Sequence, residues 1–521
     1  MSESGWLMHW AESAVFDANA AALGVELSEL MISAGASLAS EVSSGVGDKG
    51  GFGEVWFLCG PGNNGGDGFV AASALYSLWY DLPLTVRILA SHAQQKSDIS
   101  QDMRNTAKSA GVSIHSWQGN GWSIPIPRDR KVLMLVDCLL GVGPDGPGAP
   151  ALPRGSVGEV MDWLMARFEV QFPRILACDV PTGLCSSKQM NVGRTLTFHA
   201  PKMGLLNEVG EIANGVGGIK VASLPWPDET INPGIGDLLR FPALKDDAKK
   251  GDRGRVLVIG GGPYHGAPIL SGMAAARMGA DLVHVAMPSS ASARVSWPTE
   301  LIPEKIPDEE IFSLNSVSTL EQRMKSGRGI QAIVIGPGLG DAEETLDAVR
   351  ELLVIATVRE IPTVIDADAI KALPKRSMLA GLKVVITPHS KELESWLEGS
   401  ACTETLESLM NESNWRKFTP DEENAVIIET GAVDHISGIN GRYCQSSQGS
   451  ARMAMGGTGD LLAGAIGGLL ATGMAPWPAA RLASYLLREA GKMAEAELGI
   501  GMVASDIPPF LAKALAHRAA M

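Results

Sequence analysis

The sequence predicts an α/β fold in two separate sheets, and three observations carry that reading. Short β-branched or apolar runs alternate with longer helix-like segments along the chain. The runs are continuously apolar and end in Gly, Asp or Pro, as parallel strands buried on both faces do. The rhythm breaks once, at LPWPDETINPGIGDLLRFPALKDDAKK (residues 224–250), where prolines and mixed charge replace periodicity. With about 150 residues to a domain, 521 residues divide into a first domain over 1–224, a linker over 225–249 and a second domain over 250–521.

Taken in order, residues 11–42 read as two amphipathic helices, with Leu30, Met31, Ala34 and Leu38 at helical spacing. Strands are expected at 55–59, 84–89, 132–137, 174–180 and 194–199 in the first half. In the second half they are expected at 255–259, 282–286, 332–335, 363–366, 383–387 and 425–428. Helices are expected at 69–78, 269–278 and 461–470, each after a glycine-rich turn. No 20–50-residue repeat is apparent, although both halves reuse the strand–glycine–helix theme.

Composition bounds the function. Hydrophobic residues make up 45% and charged residues 19%, a globular balance. The 60 glycines exceed the usual share of about 7% and should lie in turns and ligand-cradling loops. A net charge of −15 argues against nucleic-acid or anionic-membrane partners. It leaves room for a small anion held by backbone amides at a helix start. The six cysteines form no CxxC pair, and the opening MSESGWLMHWAESAVF has no signal-peptide pattern, so reduced thiols in a cytoplasm are expected. The most apolar stretch, 461–474, is Gly-rich and short of the roughly 20 residues that span a bilayer.

In the first half, Cys59-Gly60-Pro61-Gly62-Asn63-Asn64-Gly65-Gly66-Asp67-Gly68 follows a strand and opens a helix. Glycines there permit positive φ and close backbone approach, and the helix start offers N–H groups to an anion. Two more strands end in an acid: Asp137, followed by Cys138-Leu139-Leu140-Gly141-Val142-Gly143, and Asp179, followed by Val180-Pro181-Thr182-Gly183. Parallel sheets bind ligands beyond their carboxyl edge, so Asn64, Asp137 and Asp179 are expected to converge. Any one such Asp also reads as a helix N-cap. Three strand ends of this kind favour a site.

These residues carry a family likeness. PGNNGGDG, VDCLLGVG, CDVPTGL and TLTFHAPK resemble the YjeF N-terminal domain, the NAD(P)H-hydrate epimerase, over roughly 11–224. The resemblance implies a Rossmann-like α/β/α sandwich. It also implies that Asn63, Asn64, Gly65, Gly66 and Asp67, with Gly141, Val142, Gly143, Pro144, Asp145, Gly146 and Pro147, line the hydrated dinucleotide. Asn64, Asp137 and Thr182 would ligate potassium, a hard cation suited to oxygen ligands, and Asp179 would face the substrate. Epimerising C6 of the hydrated ring needs a carboxylate that takes and returns a proton. Asp179 is the candidate base, with Lys202 a weaker candidate read as a structural partner. Where the family has Met-Glu-Asn-Ala-Gly, this chain has Met31-Ile32-Ser33-Ala34-Gly35.

The second half repeats the theme with more pieces. A strand empties into Gly260-Gly261-Gly262-Pro263-Tyr264-His265-Gly266-Ala267-Pro268. Ile335-Gly336-Pro337-Gly338-Leu339-Gly340, Ile365-Asp366-Ala367-Asp368-Ala369 and Thr387-Pro388-His389 follow. Gly456-Gly457-Thr458-Gly459-Asp460 opens a helix of small residues. A glycine turn into a helix start can form an anion hole for a phosphoryl group, with its Asp taking a proton from an attacking hydroxyl. As an isolated pattern it is also a plain helix cap.

In order and spacing the five motifs resemble the ribokinase-like YjeF C-terminal domain, the ADP- or ATP-dependent NAD(P)H-hydrate dehydratase, over about 238–514. The resemblance implies that Ala267, Gly338, His389 and Asp460 contact the hydrate. Gly459, with Thr430, Gly431, Ala432, Val433 and Asp434, would contact the adenine nucleotide. The hydroxyl would be phosphorylated with Asp460 as base, then phosphate expelled, with magnesium on the nucleotide phosphates. Thr430 stands where the family has a lysine, and Ser390-Lys391-Glu392 where it tends to have Pro-Gly-Glu; Lys391 offers a replacement charge.

The remaining candidates are set aside. His265 sits in a glycine loop, and His199 and His435 have no metal-spaced partner, which argues against zinc. Cys138 and Cys178 adjoin site acids but read as inert packing. A homo-oligomer is expected. Two other readings stay open: a ribokinase-like small-alcohol kinase fused to a regulatory domain, and a first half that serves as an interaction module.

Overall fold

A computed structural model describes residues 7–46, 52–126, 131–142, 151–168, 173–207, 210–327, 329–374, 379, 382–399, 424–438 and 442–517. They form two compact units that divide between Thr230 and Ile231.

The first unit runs α1 (Glu12–Ala22), α2 (Leu27–Val46), β1 (Gly53–Cys59), α3 (Asn63–Leu78), β2 (Leu84–Ala90), α4 (Asp98–Ser109) and β3 (Ser113–Ser116). It continues with β4 (Val132–Cys138), α5 (Gly155–Arg167), β5 (Arg174–Cys178), β6 (Arg194–Phe198) and β7 (Gly218–Ala222). The seven strands form one sheet in the order β3-β2-β1-β4-β5-β6-β7, and every pair is parallel. Burial on both faces explains the unbroken apolar runs. In β1, Val55 and Phe57 pack with Leu38 and Val42 of α2 and Leu75 of α3. Trp56 and Leu58 pack with Val160 and Leu164 of α5 on the other face. Each such side chain contributes about 1.5–3 kcal/mol.

Two strands of this sheet escaped the sequence reading, and both are edges. β3 is Ser-Ile-His-Ser, and most of β7 is open to solvent. An edge strand buried on one face at most carries no continuous apolar run.

The second unit has β8 (Arg255–Ile259), α6 (Ala267–Arg277), β9 (Leu282–Ala286), α7 (Ser289–Ser292), β10 (Leu301–Glu304), α8 (Leu314–Lys325), β11 (Ala332–Ile335) and α9 (Glu343–Val358). After these come β12 (Thr363–Ile365), β13 (Val384–Ile386), α10 (Ser390–Gly399), β14 (Ala425–Glu429), β15 (Asp434–Gly438), β16 (Tyr443–Ser446), α11 (Thr458–Ala471), α12 (Pro476–Leu498) and α13 (Ile507–Ala516). Its nine strands run β10-β9-β8-β11-β12-β13-β14-β15-β16, parallel as far as β14 and then antiparallel. Val256 and Val258 face one core, with Leu461 and Ala465 of α11. Leu257 and Ile259 face the other, with Leu320 of α8 and Val349 of α9. α11 is made of small residues because α6 lies against its backbone. A Cβ on Gly464 would stand 2.0 Å from the Ser271 carbonyl oxygen, and one on Gly468 2.6 Å from that of Ala275.

The segment read as a linker is largely folded. Short 3-10 turns cover Asp228–Ile231 and Ile235–Arg240, and Leu238 and Phe241 join the core of the second unit. Asp237 is buried against Arg481 of α12, at 2.7 Å from Nε and 3.1 Å from Nη2.

Candidate active sites

In the first unit the strand order reverses between β1 and β4, which opens a crevice at their carboxyl ends. The glycine run lies there in a form the sequence did not suggest. α3 begins at Asn63, so Gly65, Gly66 and Gly68 are helical, and none of the glycines from 60 to 68 takes a positive φ. Close approach is what requires them. A Cβ on Gly60 would meet the Leu139 carbonyl oxygen at 1.6 Å, and one on Gly65 the Gly60 oxygen at 2.1 Å. A Cβ on Gly66 would stand 2.4 Å from the Met31 sulfur, so that methionine belongs to the α2–α3 contact.

Asp137 and Thr182 touch. The Thr182 hydroxyl donates to Asp137 Oδ1 at 2.7 Å and its N–H to Oδ2 at 2.8 Å, while Leu139 N–H adds a bond at 3.2 Å. Asp137 is wholly buried, and burial pushes its carboxyl up to about 6 despite those donors. The Thr182 hydroxyl also accepts from Leu140 N–H at 3.0 Å, and next along, Gly141 faces Asn64, whose Cβ would be 3.4 Å from a side chain there. Both amide atoms of Asn64 are buried and have no hydrogen-bond partner. A buried amide and a buried carboxyl with only neutral donors are suited to a bare cation.

Asp179 sits beside this group in the left-handed region, at φ 65°. Its Oδ1 lies 2.6 Å from Lys202 Nζ and accepts from the Thr197 hydroxyl at 3.1 Å. Lys202, 2% exposed, also donates to the Phe198 carbonyl at 2.7 Å. The lysine pairs directly with the candidate base. Asp67, on the first turns of α3, is pushed well up by burial, with the charges of Asp179 and Asp17 adding.

Asp17 of α1 is a further acid near this group that sequence reasoning did not single out. Burial raises it to about 6, Lys202 pulls it down and Asp179 pushes it up. Its helix is anchored on the Lys202 turn: Met8 N–H donates to Pro201 at 2.8 Å, and Phe16 meets Trp226, which stacks on His199. Of the other expected residues, Asn63 is exposed and accepts from Ser97 at 2.7 Å. The Val142 side chain is buried with Trp10 and Leu184, so only its backbone can face a ligand. Gly143, Pro144, Asp145, Gly146 and Pro147 lie outside the described residues. A cavity of about 1020 Å3 lies elsewhere, near the strands' amino ends, beside Met134, Arg174 and Arg194. It does not coincide with the acids.

The second unit repeats the arrangement between β8 and β11. Ala267 begins α6 after β8. Gly338 follows β11 at φ 68°, where a Cβ would be 2.2 Å from the Tyr264 carbonyl oxygen. His389 follows β13. It is exposed, and its N–H donates to Glu392 at 2.9 Å. A parallel bridge joins it to Thr430, so the expected substrate and nucleotide contacts stand on neighbouring strand ends.

Asp460 occupies the first turn of α11, behind Gly457 at φ 100°. Burial raises its carboxyl to about 6. Added Cβ atoms on Gly456 and Gly459 would meet nothing within 4 Å, which leaves that backbone open to a ligand. Asp434 has a different geometry from the expectation. Its carboxylate is buried and taken by Arg488 at 2.7 Å and Ser484 at 2.7 Å, while Arg488 also holds the Gly431 and Ala432 carbonyls. Asp434 therefore shapes the 430–434 loop from beneath. Lys391 is exposed at the start of α10.

Parallel sheets with a strand-order reversal, twice in one chain, with buried acids beside the first and Asp460 beside the second, define a tandem α/β enzyme. Residues 27–204 match the family of the YjeF-related protein N-terminus, and residues 256–512 match that of the NAD(P)H-hydrate dehydratase. A bifunctional NAD(P)H-hydrate repair enzyme, Nnr, of Hyperthermus butylicus is 32% identical over 96% of this chain and 91% of its own. Its counterpart in Pyrobaculum aerophilum is 33% identical over 95% of each. A solved ADP/ATP-dependent NAD(P)H-hydrate dehydratase from Bacillus subtilis covers 54% of this chain and 96% of its own at 21% identity, with a TM-score of 0.42. The chain belongs to the bifunctional NAD(P)H-hydrate repair enzyme family.

Proposed function

We propose that the chain restores hydrated NAD(P)H in two steps, each in its own unit. The first unit interconverts the two epimers of the hydrate at C6. The second phosphorylates the C6 hydroxyl of one epimer from ADP or ATP and expels phosphate, regenerating the dihydronicotinamide. The observation that carries this reading is the gathering of acids at neighbouring strand and helix ends: Asp67, Asp137 and Asp179 in one unit, and Asp460 of α11 with Asp366 at the end of β12, close enough to influence it electrostatically, in the other.

In the first pocket Asp179, fixed by Lys202 and Thr197, is the proton acceptor. The backbone of Asn63, Asn64, Gly65 and Gly66, with Asp67, Gly141 and Val142 and the 143–147 stretch, contacts the dinucleotide. Asn64, Asp137 and Thr182 would hold potassium, whose charge would offset the buried carboxylate and help place the substrate. In the second pocket Asp460 takes the hydroxyl proton, and Ala267, Gly338 and His389 contact the hydrate. Gly459 and the loop from Thr430 to Val433 contact the nucleotide. Magnesium would arrive on the nucleotide phosphates and offset their charge. A cytoplasmic homo-oligomer completes the proposal. No described helix is long and apolar enough to cross a membrane.

The test incubates the purified chain with mixed hydrate epimers and ADP or ATP, following near-ultraviolet absorbance and released phosphate. Full recovery of the reduced cofactor is expected. A stable phosphorylated product with no recovery would point to the small-alcohol kinase instead.

A further inference from the structure

Dehydration through a phosphorylated intermediate displaces two protons from different atoms. When the C6 hydroxyl attacks the terminal phosphoryl group, an O–P bond forms, the bond to the nucleotide breaks and the hydroxyl proton goes to a base. When phosphate leaves, the C6–O electron pair goes with it, the C5 proton is lost and the C5–H pair closes the C5=C6 double bond. Asp460 serves the first event. The second needs an acceptor too.

The strand order supplies one. Ala267 follows β8, Gly338 follows β11 and His389 follows β13, and the strand between the last two, β12, ends at Asp366. Asp366 is 5% exposed, and its Oδ1 accepts from the Thr387 hydroxyl at 2.8 Å. Its backbone is clamped. Asp366 N–H donates to Ile335 at 3.0 Å, a Cβ on Gly336 would lie 1.7 Å from the Asp366 carbonyl oxygen, and Ala367 is left-handed at φ 49°. Strain of this kind gathers at functional positions. The plain alternative is a helix cap: Asp366 does precede the 3-10 turn Ala367–Ala372, but its side chain makes no capping bond. Burial pushes the carboxyl up to about 7, and the charges of Asp460 and Glu392 push the same way. The group therefore gains and loses a proton near neutrality.

We propose that Asp366 is the second proton acceptor of this pocket, taking the C5 proton as phosphate departs. The inference rests on the dehydration proposed above. The experiment is a single turnover of the full chain with hydrate and ATP, following nucleotide cleavage and absorbance recovery separately. Asp366→Asn keeps the volume and the Thr387 bond. It should cleave ATP at close to the wild-type rate while recovery slows roughly 100-fold or more, so that phosphorylated hydrate accumulates; Asp366→Glu should restore part of the loss.

Both rates falling together would assign Asp366 a structural part and overturn the proposal. Neither falling would give the C5 proton to the departing phosphate, with the same result. If Asp366→Asn melts early, Thr387→Val takes its place and should show the same ordering in milder form. No recovery by the wild type with either nucleotide would instead bring down the dehydratase reading itself.

Discussion

Single residues set the protonation of both pockets. Asp460 titrates near 6 in the folded chain against 3.8 when free of its surroundings. The folded state therefore holds an extra proton between those values, and the stability of the second unit falls as pH rises through that window. Asp460→Asn should raise that unit's stability by about 3 kcal/mol at pH 8, with the gain vanishing below pH 4, while dehydratase turnover is lost. Urea unfolding at both pH values checks the sign. In the first pocket Asp17→Asn should slow epimerisation at least tenfold without unfolding the unit, because it changes the charge facing Lys202 and Asp179. An unchanged rate in an epimer-exchange assay would remove Asp17 from the pocket. Nothing in the sequence marked Asp17: it sits in an ordinary helix, and only the fold brings it near enough to Lys202, nearly two hundred residues later, for their charges to influence each other. Asp137, Asp179 and Asp460 stood out as candidates because each lies at a strand end or a helix start with glycine within four residues.

At the scale of elements, strands buried on two faces could be read from their apolar runs. β1, β4, β8 and β11 each fall within two residues of expectation. The edge strands β3, β7, β10 and β16 could not, since pairing on one side lets polar residues, and Pro303 in β10, stand there; nor could β15, whose DHISG carries no apolar run although it pairs on both sides. Glycine was legible as a signal but ambiguous in meaning: those of α3 serve packing, whereas Gly338 and Gly457 are left-handed. The α6–α11 contact makes a prediction of its own. Gly464→Ala forces a methyl group against the Ser271 carbonyl and should cost about 1–3 kcal/mol. Because Ser271 also holds the Asp460 carbonyl at 2.8 Å, dehydratase activity should drop while epimerase activity stays. Gly459→Ala meets open space and should leave the melting temperature alone while weakening nucleotide binding. Calorimetry of the two variants separates packing from ligand contact.

At the scale of the whole molecule, the division into two α/β units was readable from the single break in rhythm, but the character of the break was not. Prolines and charges in 225–249 suggest free chain, yet Asp237 finds Arg481 far along the sequence and folds its segment into the second unit. Such a partner leaves no local trace. Asp237→Ala leaves Arg481 buried without its carboxylate and should destabilise the second unit by roughly 3 kcal/mol. Thermal unfolding should show that loss in the second unit's transition alone.

The account stands on two independent pockets acting in succession, and complementation between single-site variants tests this most directly. With mixed epimers and nucleotide, Asp179→Asn should stop once the epimer accepted by the second unit is consumed, and Asp460→Asn should restore no absorbance. An equimolar mixture of the two variant chains should reach full recovery. A mixture that stalls where Asp179→Asn alone does, or one substitution that abolishes both activities, would contradict it.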